Sequence, residues 1–175
     1  METNHIIEEL YAKAALDWNP EQKAYFEQQA KDAKIVECVR MRDVFTVGQM
    51  AFLREHYVAR QKMCYKNASQ LVELMSCLPS LFPEPGKYVE GFSYAYGLLP
   101  IEHAFVKVGD LYIDPTFERA LHRDVRREEY VSLIELDGAE MARLQAEMGY
   151  YGELYLYDYL KRYRPELAAR MAKQR

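Results

Sequence analysis

Cys64, His103 and Asp114 have the residue types that together move an acyl group: a thiol nucleophile, an imidazole to take and return its proton, and a carboxylate to orient the imidazole. The chemistry requires the three side chains to meet, although 39 and 11 residues separate successive members. The question is which elements bring them together.

The stretch Ile101 to Thr116, IEHAFVKVGDLYIDPT, reads as one β-hairpin. Two runs of alternating character flank Gly109-Asp110, and glycine at the first central position suits a two-residue type II′ turn. That turn pairs Val108 with Leu111, Lys107 with Tyr112, Val106 with Ile113, Phe105 with Asp114 and His103 with Thr116. Ala104, Val106, Val108, Leu111 and Ile113 then form a core face, and His103 and Asp114 share the other face as diagonal neighbours about 7–8 Å apart. A one-residue slip would bury the wrong face, so the apolar pattern protects the pairing. Pro115 ends the second strand.

Met63 to Leu78 has helical periodicity, with Cys64, Ala68, Leu71, Met75 and Leu78 on one stripe and Pro79 beyond. Cys64 thus falls in the first turn, where free backbone N–H groups and the positive end of the helix dipole favour a thiolate. Cys38 and Cys77 read as thiols buried in helices.

The order Cys64, His103, Asp114, with the words YVEGF (88–92), IEHAF (101–105) and DPTF (114–117), resembles the transglutaminase-like, papain-fold cysteine hydrolase superfamily, in particular small bacterial and phage proteins placed there. The resemblance covers about residues 59–117. It departs at Phe105, where such proteins often carry Trp, and at Met63-Cys64-Tyr65, which replaces Gly-Cys-Trp. The resemblance implies a Cys-His-Asp triad and a thiol-dependent amide hydrolase, peptidase, deamidase or transglutaminase acting on a protein or peptide. The alternative is a catalytically inactive member of the same fold, such as a phage-encoded one, that binds a protein.

The developing oxyanion needs donors. The Cys64 backbone N–H is one by position, and Gln61 is the candidate for the second; Asn67, one turn after Cys64, and Glu90, among aromatics on a strand, are further candidates around the site. Tyr150 and Tyr151, bracketed by Gly149 and Gly152, are expected at the cleft. No C-x-x-C, H-x-x-x-H, H-E-x-x-H, Walker A or G-x-G-x-x-G spacing is present, so neither a metal nor a cofactor is expected.

The chain of 175 residues is half hydrophobic, with 15 tyrosines and a formal net charge of −4, which gives no global field for nucleic acid. No apolar run reaches the roughly 20 residues of a membrane span. Three cysteines without paired spacing and a start lacking a basic-then-apolar pattern fit the cytoplasm. The expected fold is α+β: a papain-like or transglutaminase-like core with the Cys-bearing helix on a small antiparallel sheet, plus N-terminal and C-terminal helical additions. Within one domain, 1–58 is a helical extension whose second helix runs from Pro20 to about Arg40 and whose third spans Gly48 to Gln61. Residues 59–137 form the catalytic core, with a strand over Lys87 to Tyr96 whose small face, Val89, Gly91, Ser93 and Ala95, is expected to receive the Cys helix. Residues 138–175 are C-terminal helices, with Tyr155, Tyr159 and Tyr163 packing on the N-terminal ones.

Overall fold

A computed structural model describes residues 4–95 and 99–173. Tyr96 and the terminal Gln174 and Arg175 lie outside the described residues. The fold is mixed α/β. Strands β1 (Lys34–Val36), β2 (Cys38–Val39), β3 (Gly86–Ala95), β4 (Leu99–Val108), β5 (Leu111–Ile113) and β6 (Glu129–Leu136) form one sheet in the order β1-β6-β3-β4-β5-β2. Neighbours are antiparallel except β2 and β5, which run parallel, so the sheet is larger than expected and mixed.

The segment 1–58 is more than a helical extension. Helix α1 (His5–Ala14) and α2 (Pro20–Asp32) are followed by β1 and β2, which occupy the two edges of the sheet. The helical spacing of Ala30, Ala33 and Val36 suggested continuation to Arg40, but Ala33 already has extended dihedrals (φ −62°, ψ 123°). From there KIVECV behaves as β-branched residues do when a sheet edge is available: Val36 and Cys38 turn inward against Val89, Phe105 and Tyr130. A short α3 (Met41–Val44) then leads to α4 (Val47–His56), opened by a reciprocal Thr46/Gln49 capping box. Helix α4 stops five residues before the expected Gln61, because the chain turns extended at Tyr57 to send its phenol to the Asn67 carbonyl at 2.8 Å.

Helix α5 (Cys64–Cys77) lies across β3 and β4, where Ala68, Leu71, Val72 and Met75 meet Tyr88, Ala104, Val106 and Val108. This is the Tyr88 face of β3, not the Gly91/Ser93 face expected to receive it. Gly91 is small for another reason: a β-bulge between Glu90 and Gly91 brings β6 so close that a Cβ would lie 2.0 Å from the Val131 carbonyl oxygen. Helices α6 (Gly138–Met148), α7 (Leu154–Tyr163) and α8 (Pro165–Lys173) complete the main core through Met141, Leu144, Met148, Leu154, Tyr157 and Ala168. The tyrosine stripe of α7 meets α2, with Tyr25 contacting the rings of both Tyr155 and Tyr159. Among the described residues no helix is long and apolar enough to cross a membrane.

Candidate active site

The hairpin has the expected register at its turn: Val108 opposite Leu111, Lys107 opposite Tyr112 and Val106 opposite Ile113. Gly109 carries the positive φ of +59° and Asp110 does not, which is the type II′ pattern. The ladder ends at Ile113, so Phe105 and His103 have no β5 partner. Pro115 and a π-helical turn, Thr116–Ala120, take the chain away and leave that side of β4 open to the start of α5.

Asp114 is fully buried and every donor around it converges on its carboxylate. Oδ1 accepts the backbone N–H groups of Thr116 (2.9 Å) and Phe117 (3.0 Å), which fix the carboxylate plane. Oδ2 accepts from His103 Nε2 at 2.7 Å and from the Tyr130 phenol at 3.0 Å. The His103 ring is clamped over Phe117, centroids 4.5 Å apart. Asp114 holds Nε2, so Nδ1 is the nitrogen left for the nearby Cys64 thiol, whose interaction with the ring helps to raise the His103 pKa. Burial pulls the His103 pKa down, but the Asp114 charge and hydrogen bond and the interaction with Cys64 outweigh it, and it is raised to about 10. The structure therefore brings together the three residues selected from sequence. Cys64 itself is half-buried, open to solvent on one side.

The start of α5 leaves backbone donors free. Its N-cap, Met63, supplies no side-chain cap, and Lys62 before it adopts a left-handed φ of 60°, turning the chain sharply into the helix. The first-turn N–H groups beside Cys64 consequently lack an intrahelical acceptor.

The residues proposed around the triad divide by position. Gln61 is exposed and its amide donates to the Ala120 carbonyl at 3.4 Å, which ties the approach loop to the turn after Asp114. Asn67 is buried, and its amide is fully used: Oδ1 accepts from Arg60 N (3.0 Å), and Nδ2 donates to Arg60 O (2.7 Å) and Thr116 Oγ1 (3.0 Å). It has no donor to spare for an oxyanion; it locks the Cys helix to the Asp114 turn. Glu90 sits on a central strand, 4% exposed, and Oε2 accepts from Leu154 N (2.7 Å), Tyr155 N (3.2 Å) and the Tyr88 phenol (3.3 Å). It caps α7, whose own N-cap Glu153 supplies no side-chain capping bond. Tyr151 is exposed, with the Lys66 ammonium 5.7 Å from its ring centroid, so it stands at the first turn of α5. Tyr150 is half-buried against the main core, and Gly152 is small because a Cβ there would come within 2.6 Å of the Tyr150 ring.

Sequence reasoning missed Tyr130. Its only signal was an aromatic residue opening the YVSLIEL strand, and nothing local pointed it at Asp114. Cys38 lies on β2 rather than in a helix; burial first, then the Asp114 charge, push its thiol well up, and a hydrogen bond with Tyr130 does not reverse this. Cys77 is exposed near the far end of α5, not buried. Among the described residues no group of three His, Cys, Asp or Glu side chains is placed to hold a metal ion.

Comparison with protein-family models, with curated proteins and with solved structures returns no match.

Proposed function

We propose that the chain is a thiol-dependent acyl-transfer enzyme with a Cys64-His103-Asp114 triad in a transglutaminase-like, papain-fold arrangement, acting on an amide or ester of a protein or peptide. The observation that carries this reading is one buried imidazole bonded to a buried carboxylate, with a half-buried thiol at a helix start close enough to raise the same ring's pKa. A core histidine needs one polar partner; this arrangement gives it two of different chemistry.

The geometry supports the following reaction. His103 Nδ1 holds the Cys64 proton at the outset, as its raised pKa favours, and the imidazolium is held by Asp114. The thiolate sulfur bonds to the substrate carbonyl carbon, and the resulting oxyanion lies at the uncapped N-terminus of α5. His103 returns the proton to the leaving amine or alcohol as its bond to carbon breaks, which leaves a thioester on Cys64. Water or an amine then gives a proton to His103 and attacks the thioester, and the thiolate leaves beside the imidazolium. Hydrolysis, deamidation and transamidation differ only in the acceptor.

An activated ester tests this without knowledge of the substrate. On brief treatment with p-nitrophenyl acetate, the protein is expected to carry one acetyl group on Cys64 that is lost on standing. A wild-type protein that gains none, or a Cys64→Ala variant that acetylates and turns over equally, contradicts the proposal.

A further inference from the structure

A groove of about 470 Å³ runs along one flank of α5, with Met63 and Lys66 at one end and Cys77 at the other, and residues 56–58 and Arg60 complete its lining. That volume lies in the range of ligand clefts. Its walls include the apolar side chains of Val58, 65% exposed, Met63 and Leu74.

Charge in this groove is uneven. Arg60 and Lys66 line the end next to Cys64, and exposed Lys62 adjoins it. Glu73, towards the other end, is the lining carboxylate, and burial raises its pKa. His56, also in the lining, stands 3.5 Å from Glu55, which adds a second carboxylate at the end away from Arg60 and Lys66. Across α5, Tyr65 instead faces Glu90, Glu102 and Glu153, which puts the acidic side chains on the other flank. The Arg60 backbone is fixed at N–H and C=O by Asn67, its side chain is exposed, and the Lys66 ammonium lies over Tyr151. In a chain of net charge −4, this is a local cationic site beside the thiol.

We infer that the groove binds an extended acidic peptide segment, its carboxylates on Arg60 and Lys66 and its aliphatic portions against Val58, Met63 and Leu74. Binding there presents the adjoining peptide carbonyl to Cys64. That delivery rests on the acyl-transfer reading; the binding does not.

Cys77, at the far end, reports occupancy independently of the triad. Alkylation of Cys64 and Cys77 by neutral iodoacetamide is followed at low ionic strength with millimolar hexaglutamate or hexalysine. Hexaglutamate is expected to slow both thiols by about threefold or more and hexalysine neither. The Arg60→Gln, Lys66→Gln double variant, melting as the wild type does, loses the protection, and Glu73→Gln strengthens it. Equal protection by hexalysine, or none of either thiol by hexaglutamate, overturns the inference. If hexaglutamate shields Cys77 while Cys64 is inert from the outset, the groove stands and the acyl-transfer reading fails. If Cys64 is the fastest thiol and neither is shielded, the reverse holds.

Discussion

Asn67 donates its side-chain amide to Thr116 Oγ1 at 3.0 Å, so the helix carrying the thiol and the turn following the aspartate are joined by a buried hydrogen bond. The same amide satisfies both backbone groups of Arg60. Asn67→Ala leaves Thr116 Oγ1 without this buried donor and the part-buried Arg60 backbone groups without their partner, and a loss of about 1–3 kcal/mol is expected by urea denaturation. Cys64 alkylation should fall with it, because the thiol no longer keeps its place against His103. A variant of unchanged stability would mean water replaces the amide and that Asn67 positions nothing.

Asp114→Asn keeps an oxygen for the Thr116 and Phe117 N–H groups but removes the charge that outweighs the burial of His103. With that charge gone, burial is opposed by Cys64 alone, and the imidazole is expected to titrate well below about 10. NMR of the His103 ring over pH 5–10 follows this shift, and Cys64 alkylation should fall by about 10²-fold or more. If His103 titrates unchanged, Asp114 is not what holds its charge.

Tyr130→Phe tests the residue that shares Asp114 Oδ2 with His103. The ring still packs against Phe105, centroids 5.4 Å apart, and only the phenol donor is lost. Stability should drop by about 1 kcal/mol, with a shift in the His103 titration midpoint. A purely structural tyrosine would change the melt and leave the midpoint alone.

Glu90 predicts a pH dependence of stability. Burial raises its pKa to about 8, against the bonds from Tyr155 N, Leu154 N and Tyr88 that lower it. The folded state therefore holds a proton that the unfolded state, titrating near 4.5, has released, and stability falls as pH rises from about 4.5 to 8. The loss amounts to a few kcal/mol at most. Glu90→Gln can still accept the α7 N–H groups and should flatten this slope relative to wild type in parallel urea titrations at pH 5 and pH 8; equal slopes would mean that Glu90 does not bind the proton.

Legibility followed the range of the interactions. The register around Gly109-Asp110 and the placement of Cys64 in the first turn of its helix depend on neighbours within a few residues, so period and turn chemistry sufficed to set them. Residues 34–39 were misread as helix because their strand partners, Tyr130 to Ser132 and Tyr112 to Ile113, lie about 75 to 100 residues away. Asn67 and Glu90 read as candidates around the site, and their actual partners were hidden for the same reason: Thr116 and the start of α7 are supplied by tertiary packing. Tyr150 and Tyr151 were treated alike, yet only packing separates the half-buried ring from the exposed one beside Lys66.

Competitive alkylation of the three cysteines with limiting iodoacetamide at pH 6.5, with the modified residue mapped by mass spectrometry, tests the central claim most directly. Cys77 is exposed and Cys64 only half-exposed, so access alone favours Cys77. The triad predicts that Cys64 reacts first, ahead of Cys77 and far ahead of buried Cys38, and that His103→Ala abolishes its lead. Cys77 reacting first in the wild type would contradict the account.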